Sequence, residues 1–335
     1  MPIMKKLLLA SAAFLAASSV TPALAWGGRA HTAIDRAAVD ALPADGPVFL
    51  QRYVDQIGED ASVPDSWRGA SEPFSKIAED PNHGWFREQF AFIKDIPRSR
   101  FAFILALYRQ HEKLVAAGQQ ADAARMNVRW TGTLPFAVAE GYGHLVADMR
   151  WMRKLQAEGK DTSGLQMACA FYVAWMGHYV GDGSQPLHVT IHHDGWVGPN
   201  PDGFTRDPKV HGQFESTYVD MIGLTEADVR AHMTPLAHQD GDVFNAMLAY
   251  LDRSRQDVRA VYVLDKAGAF EDARNKKARD MIYERTAAGA SMLRDLLVRA
   301  WRESARPAAK VANPIDLSNP AYDPETGSAP APTMP

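Results

Sequence analysis

Histidine and carboxylate residues recur at a spacing of four in two parts of this sequence. His178 and Asp182 stand four apart at the end of an apolar segment, and His211 and Glu215 repeat that spacing, with His188 between the two pairs. On a helix, residues four apart lie on one face, so each pair presents two ligand-type side chains together. Imidazole and carboxylate groups suit zinc, and thiolates are absent from the pattern. The spacing therefore indicates a metal site.

Each pair has an alternative interpretation, because a histidine four residues from an acid is often only a solvated contact on a helix surface. The residues around His178 argue against this, since Met176, Tyr179 and Val180 make a solvent-facing surface unfavourable. A histidine and an aspartate in apolar surroundings must be paired or bound to metal to offset the loss of water. We therefore expect a buried pair.

Helices must position these residues, and the sequence predicts an all-α fold in a single domain. Apolar residues recur three and four positions apart in segments 101–117, 134–155, 164–182, 243–263 and 280–301. Glycine and proline are densest at 195–208, which we interpret as an exposed ordered loop or lid. No repeat is evident, so we expect one domain over 26–305, followed by a disordered Pro- and Ala-rich tail over 306–335.

The chain begins with the pattern of a secretory signal peptide over residues 1–25. Two lysines precede an apolar run, and Ala23-Leu24-Ala25 provides the small residues of a cleavage site. The run is shorter than the roughly 20 residues needed to span a bilayer, and no later segment is both long and charge-free enough. We expect an exported protein, periplasmic or secreted, whose mature chain begins at Trp26.

The composition excludes a broadly basic surface for nucleic acid. The formal net charge is -4 and the pI is near 6.3, so local groups would have to hold a polyanionic substrate. Cys169 is the only cysteine, and no internal disulfide can stabilise the exported chain. Bound metal is a candidate for that role, because a site that forms only in the folded state adds its binding free energy to stability.

The motif around the central histidine resembles the phospholipase C/P1 nuclease superfamily. It reads Gly181-Asp182-Gly-Ser-Gln-Pro-Leu-His188, with His178 before it and the His-x-x-x-Glu pair after it. The resemblance implies a mostly helical fold with a metal-binding cleft.

The resemblance extends toward the N-terminus. Members of that family begin, after export, with tryptophan, and this chain would begin Trp26-Gly with His31 close behind. They carry an aspartate and then a histidine before the central helix, and Asp65 and His83 fit those places. The likeness covers about residues 26–220.

The resemblance implies a cluster of three zinc ions. One zinc would be held by Asp65, His83, His178 and Asp182. A second would be held by His188, His211 and Glu215. The third would be held by the α-amino and carbonyl groups of Trp26, by His31, and by Asp182 as a bridge. The free amine exists only if the chain starts at Trp26, so the cleavage signal and the implied ligand agree.

The resemblance also implies phosphoester hydrolysis by a metal-activated water, without a protein nucleophile. Asp65 would have a second role, orienting or deprotonating that water as a general base. Arg68, three residues later, would contact the phosphate through its guanidinium fork. The alternative for Arg68 is a surface arginine on the next turn.

The sequence leaves the substrate open between nucleic acid and phospholipid. The short interval from Trp26 to His31, the Asp-x-x-Arg pattern and the long interval before His211 resemble S1/P1 nucleases. These features favour single-stranded nucleic acid or a nucleotide as substrate. Glu215 in place of the nuclease-type aspartate resembles bacterial phospholipase C, and Ser216 departs from the asparagine that commonly follows.

A zinc-binding protein without catalysis is the alternative of another class. Closed structural sites fill every coordination position with protein, whereas the second implied site has only three protein ligands. Room then remains for water or substrate, which favours an enzyme.

Overall fold

The computed structural model describes residues 26–69, 71–237 and 241–307, which are mostly helical. The α-helices are α1 Gly28–Asp40, α2 Val54–Asp60, α3 Val63–Ser66, α4 Pro73–Glu79, α5 Arg100–Ala116, α6 Gln120–Ala123, α7 Val128–Thr131, α8 Leu134–Ala157, α9 Ser163–Ser184, α10 Lys209–Gly212, α11 Tyr218–Met221, α12 Glu226–His232, α13 Val243–Arg255, α14 Val258–Lys266 and α15 Lys276–Ser304. Short 3₁₀ turns and a π-helical turn at Gln213–Thr217 join some of them. These residues contain no strand, only an isolated bridge between Trp85 and Gly132, so the all-α class is confirmed for them.

Four of the periodic segments correspond to single helices, and the fifth is divided. Residues 243–263 form α13 and α14, with a break at Gln256 and Asp257. No glycine or proline marks this break, so apolar periodicity could not reveal it. Asp257 accepts a hydrogen bond of 2.6 Å from Arg285, which ties the break to α15.

Helix α9 is buried along its C-terminal half. Every residue from Met176 to Ser184 is buried, and α9 packs against α8, α1 and α15. A helix that is apolar on all sides is stable only when other elements cover it. These helices therefore enclose the segment that carries His178 and Asp182.

Two glycines on α9 let α1 approach closely. A Cβ atom at Gly181 would lie 2.9 Å from Nδ1 of His31, and one at Gly177 would lie 2.4 Å from Oδ1 of Asp35. A side chain at either position would push α1 outward, and glycine is the residue that permits such an approach. The contact therefore sets how near His31 comes to α9.

The loop at 195–208 has no helix but is held by its own hydrogen bonds. The Trp196 N–H donates to the carbonyl of Thr205 at 2.8 Å, and the Asn200 side chain bonds in both directions with the backbone of Phe204. The rings of Trp196 and Phe204 pack against Tyr262 of α14. The loop is ordered, as the sequence predicts, and its use as a lid stays a prediction.

The predicted signal peptide at 1–25 lies outside the described residues, as does the predicted tail from residue 308 onward. Both boundaries therefore stay predictions. Among the helices of the described residues, none combines the length and the apolar character needed to cross a bilayer. Cys169 is a buried free thiol on α9.

Asp35 is a fully buried carboxylate on α1, and neither of its oxygens has a hydrogen-bond partner among the described residues. Burial raises the pKa of Asp35 well above its usual value, because the charged form loses water. The folded state therefore holds this proton more tightly than the unfolded chain does. Its contribution to stability is fully present below the unfolded pKa of about 3.9 and is lost as the pH rises through the folded pKa.

We expect Asp35→Asn to stabilise the protein at neutral pH, because the variant has no charge to bury. The gain should vanish near pH ~4 and grow by about 1.4 kcal/mol per pH unit until the folded pKa is reached. Melting curves of the variant and the wild type at matched pH values measure the difference in stability between them. The pH effects that both proteins share cancel in this difference. A difference that stays constant from acid to neutral pH would contradict burial of an unpaired carboxyl as the cause.

Candidate metal centre

The contact between α1 and α9 brings three ligand-type side chains together. Nε2 of His31 lies 3.4 Å from Oδ1 of Asp182, and Nε2 of His178 lies 3.6 Å from Oδ2 of the same carboxylate. The two imidazole rings stack with 4.1 Å between their centroids. All three residues are fully buried. They form a first group that could hold a metal ion.

A second group forms where α3 and the 3₁₀ turn at Asp80–His83 meet α9. Asp65 lies in α3, and its Oδ1 is 3.6 Å from Nε2 of His83 and 3.9 Å from Nε2 of His178. This group could also hold a metal ion, and it shares His178 with the first group.

The third group lies beyond the C-terminus of α9. Gln185 is extended, and Pro186 begins a 3₁₀ turn that carries His188. Helix α10 and the π-helical turn after it carry His211 and Glu215. Oε2 of Glu215 lies 2.9 Å from Nε2 of His211 and 3.5 Å from Nε2 of His188. A π-helical turn is frequently found at a functional site, and these residues too could hold a metal ion.

Asp182 connects the three groups. Besides its contacts with His31 and His178, its Oδ2 lies 3.6 Å from Nδ1 of His188. A single buried carboxylate therefore stands between imidazoles of the first and third groups. The side chains assigned to metal by the resemblance all meet here, with Asp182 in the central position.

Four of the imidazoles are held in a fixed orientation by hydrogen bonds at Nδ1. The acceptors are the carbonyl of Glu79 for His83, the carbonyl of Ala61 for His178, the carbonyl of His83 for His188, and Oδ1 of Asp194 for His211. A neutral histidine that donates through Nδ1 presents Nε2 as a lone pair. Metal-ligating histidines are typically held in this way.

Many of the nitrogen and oxygen atoms in this centre have no hydrogen-bond partner. They are both ring nitrogens of His31, Nε2 of His83, His178 and His188, both carboxylate oxygens of Asp182, and Oε1 of Glu215. Each buried polar atom without a partner destabilises the folded state by roughly 1–3 kcal/mol. Divalent cations would satisfy these atoms together, and the set of nitrogen and oxygen donors fits zinc.

Burial and neighbouring charges set the protonation of the histidines. Burial lowers the pKa of His178 to about 4 and lowers the pKa of His83 well below its usual value, so both are neutral near pH 7, the form that binds metal. Burial also acts to lower the pKa of His211, but Glu215 and Asp194 outweigh it and raise that pKa to about 10. A metal ion at His211 must therefore displace a proton.

Trp26 is buried beside the third group. Its indole Nε1 donates to Oγ of Ser184 at 3.0 Å, and its ring packs on Phe214 with 5.4 Å between centroids. The N–H of Gly27 donates to the carbonyl of Glu215 at 3.2 Å. The first residue of the predicted mature chain is thus anchored next to a candidate metal-binding segment, and ligation by its amine stays a prediction.

Arg68 lies at the edge of the second group, between two carboxylates. Its Nη1 is 3.2 Å from Oδ1 of Asp65, and its Nε is 3.2 Å from Oδ1 of Asp80, which also binds Lys76. The side chain stays 26% exposed. The guanidinium is therefore adjacent to a candidate metal ligand, while part of the Arg68 side chain remains open to solvent.

The sequence did not reveal two side chains that form hydrogen bonds with candidate ligands of the third group. Asp194 accepts from His211, and Nε2 of Gln185 donates to Oε2 of Glu215 at 2.9 Å. Asp194 lies 17 positions from His211, and no local spacing signals that contact. For Gln185 a signal was present, because it stands inside the motif directly before the turn that carries His188.

Comparisons of this chain with known protein families, with curated proteins and with solved structures found no match.

We expect His178→Ala to lower both metal content and stability, because it removes a ligand shared by two groups and leaves Asp182 buried with fewer partners. The stability loss should be about 3 kcal/mol or more. Metal analysis and melting curves measure the two effects. His144→Ala is the matched control, since His144 is half exposed on α8, stacks on Tyr172 and belongs to none of the three groups. Wild-type zinc content and melting temperature in His178→Ala would contradict the assignment.

Proposed function

We propose that this chain is an exported, zinc-dependent phosphoester hydrolase of the phospholipase C/P1 nuclease type, and that its substrate is single-stranded nucleic acid. The observation that carries the proposal is the convergence of three buried histidine and carboxylate groups on Asp182, with many of their atoms lacking a hydrogen-bond partner. Isolated pairs on helix surfaces would not bring residues from separate parts of the chain to one point.

Three zinc ions are the proposed cofactors. Each of the three groups could hold one ion, and their donors are imidazole and carboxylate without thiolate. In the first group, His31 and Asp182 would be joined by the amine and carbonyl of Trp26, the residue anchored beside Glu215 through Gly27.

When bound, zinc supplies Lewis acidity and lowers the pKa of a coordinated water to about 7. The chain's residues hold and orient the reacting groups. Oδ1 of Asp65 is directed toward both His83 and His178 and is fixed from outside by Arg68, so this carboxylate has one defined position. That position suits the proposed role of Asp65 as the group that accepts a proton.

The centre is most deeply buried at α9 and slightly less buried at some of its other segments. His178 and Asp182 have no exposed surface, whereas Asp65, His188 and His211 keep between 5% and 8% of theirs. Structural zinc sites are closed by protein, while catalytic sites keep a position for water or substrate. The difference in exposure favours an enzyme over a protein that only stores or binds zinc.

Arg68 contacts Asp65, one of these less buried side chains, and is the proposed phosphate contact. Its guanidinium fork matches the geometry of phosphate oxygens, and the carboxylates of Asp65 and Asp80 hold it in place. Together with the Asp-x-x-Arg pattern, this position supports a nuclease.

The decisive experiment offers zinc-loaded mature protein single-stranded DNA and RNA, the matching duplexes and phosphatidylcholine vesicles, with and without chelator. We expect single strands to be cut fastest, because stacking on the protein needs a base that is free of its partner. Arg68→Ala should lower turnover by about 10-fold or more with zinc content unchanged, while Lys76→Ala, which removes another cation from Asp80, is the control.

The outcomes separate the candidate functions. Release of phosphocholine with nucleic acid left whole would replace the nuclease by a phospholipase C. A fully metallated protein with no activity on either substrate class would indicate a zinc-binding role instead.

One surface feature favours phospholipase C as the second candidate. Phe74 and Ile77 on α4 are 89% and 74% exposed, and they flank Lys76, which binds Asp80 beside Arg68. Exposed apolar side chains grouped in this way are typical of surfaces that meet lipid or another molecule. The vesicle arm of the assay decides this point.

We expect the mature protein to begin at Trp26 and to bind three zinc ions. A version with one extra glycine before Trp26 should bind two, because an amide nitrogen replaces the free amine. Intact mass and zinc stoichiometry under native conditions measure both properties. Three zinc ions in the extended protein would rule out the N-terminus as a ligand.

A further inference from the structure

We infer that Asp194 is a positioning residue that sets the zinc affinity of the third group through His211. This inference rests on the proposed zinc centre and adds to it a residue that neither the motif nor the resemblance assigns. Asp194 is the residue directly before the loop at 195–208.

The contact that carries the inference joins Nδ1 of His211 to Oδ1 of Asp194 at 3.0 Å. At His83, His178 and His188, the corresponding partner is a neutral backbone carbonyl. His211 alone among these four has a carboxylate in that place. An anionic acceptor makes the opposite ring nitrogen a stronger donor to metal than a carbonyl does.

The loop fixes the position of Asp194. Gly195 has φ +98°, and a Cβ atom there would lie 2.6 Å from the backbone of Arg206, so the chain can close the loop at this point only with glycine. The N–H of Trp196 then bonds to the carbonyl of Thr205 at 2.8 Å. The folded loop therefore presents the carboxylate of Asp194 to His211.

The other charged and titratable groups near Asp194 are consistent with this role. Its Oδ2 lies 3.6 Å from Nε2 of His193, so each carboxylate oxygen faces a different imidazole. On the far side of the His211 ring, Nε2 lies 2.9 Å from Oε2 of Glu215. The His211 ring thus lies between two carboxylates. Its Nε2 faces Glu215 inside the third group, and its Nδ1 faces Asp194 outside that group.

The test compares two variants of Asp194 with the wild type by zinc competition against a chelator. Asp194→Asn keeps a hydrogen-bond acceptor but removes the charge, and Asp194→Ala removes both. Asp194 is half exposed, so neither variant leaves a buried cavity. Asp202→Asn is the matched control, because it makes the same change on the same loop at a residue paired with Arg259 instead of a histidine.

We expect one of the three zinc ions to bind 10- to 100-fold more weakly in Asp194→Ala, with an intermediate loss in Asp194→Asn and none in Asp202→Asn. Cobalt(II) substitution supplies a second readout, in which the absorption of one of the three ions should change while that of the other two stays. A purely structural role for Asp194 would shift the melting temperature of the metal-free protein without singling out one ion.

Three zinc ions bound with wild-type affinity in both Asp194 variants would overturn the inference and leave the zinc centre standing. Loss of affinity at all three ions together would also overturn it, because the effect would then be general. Failure of the wild-type protein to bind zinc would instead refute the proposed function itself.

Discussion

The burial of Asp182 is the constraint on which the rest of the structure depends. Its carboxylate has no exposed surface, and neither oxygen has a hydrogen-bond partner among the described residues. Burial acts to raise the pKa of Asp182, but the imidazoles of His188 and His178 outweigh it and keep that pKa low. An ionised carboxylate in such a place costs several kcal/mol unless cations compensate it. Bound metal would meet that requirement, which would link folding to metal binding.

The packing around α9 places three imidazoles around the carboxylate of Asp182. Gly181 lets α1 come close enough for His31 to face Asp182. At the end of the same helix, Ser184 accepts the hydrogen bond from the Trp26 indole, so the start of the described chain is held against α9 as well. Gly181 and Ser184 of α9 therefore set how closely α1 and Trp26 can approach this helix.

The short-range part of this arrangement could be predicted from the sequence, and much of the rest could not. The pairing of His178 with Asp182 follows from helix geometry and from the apolar residues around it. Apolar periodicity does not show the break at Gln256, although Asp257 is of a type that often begins a helix, because the hydrogen bond between Asp257 and Arg285 joins distant segments. Asp194 and Asp35 were missed for the same reason, since each meets its neighbours only after distant segments come together. Such contacts are properties of the tertiary structure, and spacing along the chain does not encode them.

The hydrogen bonds at Nδ1 of the histidines indicate that the second and third groups differ in how firmly the fold holds them. The histidines of the second group take their orientation from backbone carbonyls of elements packed around α9, such as that of Ala61 for His178. His211 depends instead on a side chain that a surface loop carries. Loops are generally less stable than packed helices, so the orientation of His211 depends on the loop at 195–208 staying folded. His188 and His211 keep 5% and 7% of their surface exposed, and Asp65 of the second group keeps 8%. The second and third groups thus share the less buried part of the centre, and they differ in what orients their histidines: backbone carbonyls in the second group, and Asp194 beside the loop for His211 in the third.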